Sequence, residues 1–421
     1  MHLSRIRCLL PALIAVSSAT LFSANPPVSG RGSTQVNIAE LTASDGAQQN
    51  GLGGFVAMSG TMIAAAGNQK IYVFEEPSNG WQNMTQTAEL SASDGTGLSA
   101  VAIDSNVIVA GATAESAVYV FVKPADGWTN MTETAILSST DQASNLGISV
   151  SISGNTVVAG SSSSQNGFGP STAYVFVEPA DGWTNMTQTA ELTPSDGGGP
   201  FFAAAVSGGT IVAGGLGTTV GSNNAQGAAY VYVRPVGGWV SMTESARLTA
   251  SDGAAGDVLG TAVAINGGTI VAGAPGATMN GRLAAGASYV FVRPTGGWRT
   301  MTQTAKLTAS DAKFKAEMGS SLSATGSVIV SGAPQQPIGK TQIQGAAYTF
   351  AKPATGWASK TQTARLTASD GSGGLASGVA ASGGTVAAGA PFTTVGSNKL
   401  QGAVYVFTQD ATRPKSLGFP Q

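Results

Sequence analysis

The chain has 421 residues, 58 of them glycine, with only 10% charged residues and a formal net charge of −2. Its apolar content rests on Ala and Val in short runs, which excludes a helical bundle and predicts an all-β protein. The only His and the only Cys are His2 and Cys8, and a mature chain that loses them has no Ser-His-Asp or Cys-His catalysis and no His/Cys zinc site.

The chain opens with Arg5 and Arg7, an apolar run from Cys8 to Phe22, and the small residues Ser23 and Ala24. That order predicts a secretory signal peptide over residues 1–24. The apolar run is short for a bilayer span, and no transmembrane segment is expected in the mature chain. Cleavage would remove His2, Cys8 and both arginines, leaving 18 basic against 22 acidic side chains, a charge of −4. Nucleic-acid binding needs clustered positive charge, so nucleic acid is excluded as a partner. Residues 25–35 are expected to be a linker, 36–410 a single domain and 411–421 a disordered tail.

From there the chain repeats itself. L-x-x-x-D occurs seven times, ending at Asp45, Asp94, Asp141, Asp196, Asp252, Asp311 and Asp370, at steps of 49, 47, 55, 56, 59 and 59 residues. A period of that size, built from apolar runs and glycine turns, marks a radial or stacked repeat. In the best copy the runs are Gly260–Ile265, Thr269–Ala272, Ala287–Arg293 and Thr304–Thr308, separated by turn residues. Four antiparallel strands, here a to d from the axis outward, make one propeller blade. Run c is the most regular (IYVFEEP, VYVFVKP, AYVFVEP and so on) and holds all eight tyrosines, which read as core packing.

The two ends choose between an open stack and a closed ring. The domain begins with a lone fourth strand, Val36–Ser44, and finishes with three strands and no fourth: Gly378–Ala381, Thr385–Ala388 and Ala403–Thr408. The first strand therefore completes the last blade and closes a seven-bladed ring, burying Val36, Ile38 and Leu41. Six tryptophans, Trp81, Trp128, Trp183, Trp239, Trp298 and Trp357, mark the six covalent c–d connections. The seventh is the gap between the termini. Wedging between blades is the expected role of these indoles, with exposed stacking on sugars as the alternative.

Leu259–Pro275 (LGTAVAINGGTIVAGAP), Gly286–Val292 (GASYVFV) and Trp298–Asp311 (WRTMTQTAKLTASD) resemble the bacterial FG-GAP repeat proteins, which are similar to the propeller of integrin alpha chains. The resemblance covers the whole mature chain. It implies a secreted or cell-surface, seven-bladed propeller that binds other molecules, and no particular ligand. Gly-Ala-Pro survives only at Gly273–Pro275, Gly332–Pro334 and Gly389–Pro391. The a–b turns, such as Asn266-Gly267-Gly268, lack the carboxylates of the integrin calcium loop, with Asp104 the single exception. Calcium wants about 6–8 oxygen ligands, so no metal and no cofactor are expected.

The candidate ligand residues lie in the b–c and d–a connections, which leave a propeller on one face. Thr218–Gly227 (TTVGSNNAQG) and Thr393–Gly402 (TTVGSNKLQG) are nearly the same loop and supply Asn223, Asn224, Gln226, Asn398 and Gln401. Glu115, Asp257 and Glu317 are the least repetitive acids of that face. The repeat-closing aspartates read as turn caps. One position of strand d reads Glu40, Glu89, Ile136, Glu191, Arg247, Lys306, Arg365 around the ring. Edge charge guards against strand pairing, and its segregation by sign also suggests weak, salt-sensitive self-association of rings. Asn83, Asn130 and Asn185 stand in glycosylation sequons.

The expected function is a binding or adhesion module for a protein or carbohydrate ligand, and not an enzyme. The alternatives are a carboxylate-based polysaccharide-degrading enzyme, resting on Asp257, Glu317 and Glu115, and a structural surface protein without a small ligand.

Overall fold

A computed structural model describes residues 36–162, 172–198, 201–341, 343–368, 370–371 and 373–409. The expected signal peptide, linker and tail lie outside the described residues. All described regular structure is β, in seven sheets. The innermost strands touch their neighbours round a full circle, Val56–Ser59 meeting both Val101–Asp104 and Val379–Ser382.

Blade 5 shows why the residues fold this way. Val263–Asn266, Thr269–Ala274, Ala287–Val292 and Ala305–Thr308 pair antiparallel in that order. Asn266-Gly267-Gly268 turns a into b, with Gly267 at φ 53°, a conformation that suits glycine. Strands b and c are sandwiched between blades and apolar on both faces, so their pattern is almost wholly buried. Strand d alternates buried and half-buried residues, as the rim of a sheet should. The core is seven separate clusters, each between two adjacent blades.

The ends close the ring as expected. Val36–Thr42 lies antiparallel to Ala403–Gln409 in six pairs, from Val36↔Gln409 to Leu41↔Val404. An ordinary strand d makes three such pairs, as Ser288↔Leu307 to Val290↔Ala305 do. In the other repeats strand c runs up to Pro77, Pro124, Pro179, Pro235, Pro294 or Pro353, and in the last Asp410 stands at that position. Proline has no N–H to donate and stops the ladder.

Four strands per blade is corrected in one respect. Five sheets have a fifth, two-residue strand that runs parallel to strand d and comes from the next repeat. These are Met84–Thr85, Met186–Thr187, Met242–Thr243, Met301–Thr302 and Lys360–Thr361. They pair with Leu41, Leu137, Leu192, Leu248 and Leu307 and the residues after them. Met131 makes the sixth contact, as a single bridge to Leu90. The flanking side chains complete a latch. The residue before (Asn83, Asn130, Asn185, Ser241, Thr300 or Ser359) accepts one N–H of the neighbouring strand d. The Gln or Glu after the Thr accepts another four residues on. The three sequon asparagines are thus exposed latch residues whose Oδ1 is already bonded.

The tryptophans begin the same segments and wedge between blades. Trp128, Trp183, Trp239 and Trp357 are buried in the inter-blade clusters, and Trp81 and Trp298 pack against theirs. Trp128 Nε1 lies 3.2 Å from Met62 Sδ of the preceding blade. The cluster between blades 6 and 7 holds no Trp and no Met.

That seam also carries an acid where three other seams carry a cation. Arg247, Lys306 and Arg365 each pair with the closing aspartate of the preceding repeat. Glu40 occupies their place in blade 7, and burial, then Asp370, raises its carboxyl above the usual range. A carboxyl raised on folding binds its proton more tightly in the native state, so stability falls as pH rises from the unfolded value through the folded one. Glu40→Gln should therefore melt higher than the parent at pH 7 and together with it at pH 3.5. Equal melting of the two proteins at pH 7 would contradict this.

Candidate functional site

The seven closing aspartates are not merely turn caps. The strand c tyrosine of the following blade reaches back to each: Tyr72 to Asp45 at 2.9 Å, Tyr174 to Asp141 at 2.6 Å and Tyr348 to Asp311 at 2.8 Å. Tyr119, Tyr230 and Tyr405 donate likewise to Asp94, Asp196 and Asp370. Tyr289 faces Asp252 without an ordinary hydrogen bond, and Lys306 Nζ holds the Asp252 Oδ2 at 2.6 Å. The tyrosines are core residues, as expected, and their hydroxyls also tie one blade to the next. Burial, reinforced by Asp45, pushes the Tyr72 hydroxyl up to about 12. Burial works to raise Asp196, but the hydrogen bonds from Tyr230 and Arg247 outweigh it and hold the carboxyl low.

These ion pairs give the sign pattern of strand d an intramolecular use. Arg247, Lys306 and Arg365 answer the aspartates, and Lys70 bridges Asp45 and Glu89 at 2.8 and 2.7 Å.

The polar loop residues are mostly turned inward. Asn223 Nδ2 donates to Gln226 Oε1 and to the Gly253 carbonyl, both at 3.0 Å, and Gln226 Nε2 donates to the Ala250 carbonyl. Asn398 and Gln401 repeat the arrangement on Gly46 and Ala43, across the junction of the two chain ends. Gln226 and Gln401 are buried. Their amides clamp strand d to its own b–c loop, and Asn224 alone of this group is exposed.

The three acids stand apart on the ring. Glu115 is exposed on blade 2. Asp257, leading into blade 5, is buried and accepts the Ala254 N–H at 2.9 Å. Glu317, leading into blade 6, is half-buried in a left-handed backbone conformation, φ 59°. Burial raises both carboxyls above the ordinary range. Among the described residues no three His, Cys, Asp or Glu side chains cluster as metal ligands.

The same face carries a feature that the pattern of repeats hides. Arg282 of the blade 5 b–c loop, Lys313 and Phe314 of the next connection, and Pro337 and Gly339 of the blade 6 loop line an open cleft of about 610 Å³. Lys315 Nζ sits 5.4 Å from the Phe314 ring centroid, within cation–π range. The loops are tied together: Lys313 N donates to Gln336 Oε1 at 3.3 Å and Lys315 N to the Leu283 carbonyl at 3.0 Å. Phe314 and Leu283 are each 57% exposed, and Ile343, Phe392 and Phe55 continue an exposed apolar arc along blades 6, 7 and 1. The local signal was Lys313-Phe314-Lys315, a basic-aromatic-basic run that no other repeat carries just after its closing aspartate.

The repeats at 242–291, 301–350 and 360–407 match the family described as FG-GAP repeat. No curated protein sequence matches this chain. Among solved structures, the WD40 β-propeller domain of Doa1 is similar at a TM-score of 0.55 and 12% identity, covering 89% of this chain and 97% of that one. The computationally designed Ika8 protein aligns at a TM-score of 0.47 and 14% identity, covering 87% and 98%. At such identities the likeness to Doa1 concerns the fold alone.

Proposed function

Taking this chain as the FG-GAP repeat β-propeller it is, we propose that it is a secreted or cell-surface binding module whose ligand face is the b–c and d–a side of blades 5 and 6. A propeller of this family is a binding fold, and long loops on a rigid ring are where recognition concentrates. The observation that carries the reading is the cleft that sets Arg282 and Lys313 around the exposed ring of Phe314. A guanidinium and an ammonium attract carboxylate or sulfate, and an exposed aromatic face stacks on a sugar ring. An acidic carbohydrate satisfies both. Among the described residues no helix is long and apolar enough to cross a membrane.

The hydrolase alternative has less behind it. Asp257 lies under its own loop and accepts the Ala254 N–H, and Glu115 stands three blades away from it.

The test is retention on immobilised acidic and neutral polysaccharides, with cleavage products scored in the same experiment. Retention should be confined to the acidic supports and weaken steeply between 50 and 300 mM salt, as contacts between exposed charges do. The double change Arg282→Gln, Lys313→Gln should weaken it at least tenfold, about 1.4 kcal/mol, without changing the melting temperature. Phe314→Ala should act in the same direction. Undiminished retention of these variants would move the site elsewhere, and release of oligosaccharides would overturn the binding-module reading.

A further inference from the structure

Six of the seven outer strands are covered by the latch of the following repeat. The seventh is Ala364–Leu366 of blade 6, whose sheet stops at four strands among the described residues. The packing there changes accordingly. Leu366 is 7% exposed, whereas Leu41, Leu90, Leu137, Leu192, Leu248 and Leu307 are at 0%. Ala364 is half-buried, whereas the alanines at its place in the other blades are at most 2% exposed.

The bonds this edge can make are read from blade 1. There Glu89 N–H bonds Asn130, Glu89 C=O accepts the Met131 N–H at 3.1 Å, and Ser91 N–H bonds the Met131 carbonyl at 3.2 Å. Arg365 and Thr367 stand at those two positions in blade 6. The guanidinium of Arg365 is engaged with Asp311, and by the blade 1 pattern its backbone N–H and C=O face outward.

The first two described residues of the chain are engaged elsewhere. Aligning Ala39 with Ala88 puts Val36 and Asn37 where the latch has Thr85 and Gln86. Both pair instead with Gln409 and Thr408, along the strand that no proline stops. They cannot lie on blade 6 while they close blade 7.

We propose that the outer edge of blade 6 is a docking site for an extended segment of another protein, which adds as a fifth strand parallel to Ala364–Leu366. The six filled sockets state the chemistry of the occupant. It carries Asn, Ser or Thr, then a long side chain (Met in five sockets, Lys in one), then Thr, then Gln or Glu. Backbone bonds supply affinity and the two flanking acceptors supply register, as in strand addition to a sheet edge. A tryptophan three residues before the long side chain finds the one seam that lacks an indole.

The experiment uses the full chain and a fluorescent peptide of the sequence Trp-Arg-Thr-Met-Thr-Gln-Thr, that of residues 298–304. The expected result is saturable binding, with slowed hydrogen exchange at the Arg365 and Thr367 amides. A peptide with Ala at both acceptor positions should bind at least tenfold more weakly. Thr367→Pro removes an outward N–H, which an edge strand tolerates, and should weaken binding equally while its melting temperature stays near the parent's. Three results would overturn the proposal. They are equal binding to Thr367→Pro, absence of saturable binding, and protection of these amides in the chain alone. Concentration-independent protection would mean that the chain covers its own edge, and concentration-dependent protection that a second copy does.

Discussion

A chain that lacks residues 36–44 is expected to melt ~10 °C or more below the intact chain, at roughly 2–4 °C per kcal/mol for a domain of ordinary size. The deletion removes strand d of blade 7 and its six pairs with Ala403–Gln409. It also removes Leu41 and Ala39, which are buried between blades 7 and 1, and strips cover from Val404 and Val406. Losing one buried leucine costs about 1.5–3 kcal/mol, and each net backbone hydrogen bond adds about 0.5–1.5 kcal/mol. A total on the order of 5 kcal/mol is a large part of what holds a typical domain folded. The lost strand belongs to the sheet of blade 7 and runs on into blade 1, so it ties the two blades across the closure. Adding a peptide of residues 36–44 should restore part of the melting temperature. If the truncated chain melts with the intact one, the pairing of the two ends contributes no stability and the closure argument fails.

Much of this architecture was legible because the repeat is a physical unit. The offset between seven d strands and seven a–b–c sets leaves few topologies, and Val36–Thr42 against Ala403–Gln409 is the one observed. The wedge role of the tryptophans followed from the area a large aromatic buries. The latch was not legible, because Met-Thr is two residues long and pairs with a strand some 40 to 50 positions away, as Met84 does with Leu41. Its sign in the sequence was the constancy of the residues flanking that dipeptide, which no local propensity explains. The tyrosines posed a similar problem. Burial alone would accept Phe, and the preference for a hydroxyl makes sense only once Asp45 is seen beside Tyr72.

Loop composition alone does not separate a ligand contact from a loop clamp. Loop composition pointed to Asn223, Gln226, Asn398 and Gln401, yet short amides in a tight loop are most useful for closing that loop on its neighbour. They do so here, on Gly253, Ala250, Gly46 and Ala43. The cleft instead draws Arg282, Phe314 and Pro337 from three connections that no sequence window contains together. The two near-identical loops share one clamp, whereas the departure at Lys313–Lys315 holds the exposed aromatic ring.

Gly273→Ala should be among the most damaging single methyl additions in the chain, with a loss of at least ~3 kcal/mol, the upper end of ordinary overpacking. A Cβ at residue 273 would lie 1.9 Å from the carbonyl oxygen of Gly319 in the next blade. That oxygen belongs to a strand lead-in whose N–H already bonds Gly332 O at 2.9 Å, so it cannot move alone. The same contact recurs at Gly111 with Gly147, Gly214 with Gly260 and Gly389 with Gly53. Two of these four inner-ring glycines, Gly111 and Gly214, stand outside any Gly-Ala-Pro triplet. The glycine is therefore the part of the motif that packing demands, since blades meet there backbone to backbone, and the proline is dispensable to it. The control is Gly296→Ala, in the c–d connection of the same blade, where a Cβ meets nothing within 4 Å. That change should leave the melting temperature level or raise it slightly, by the entropy removed from the unfolded chain. Melting curves of the two variants decide the matter: a Gly273→Ala protein as stable as the control would mean that the blades can separate at the axis without penalty, and the inner ring would lose its place as the feature that sets their spacing.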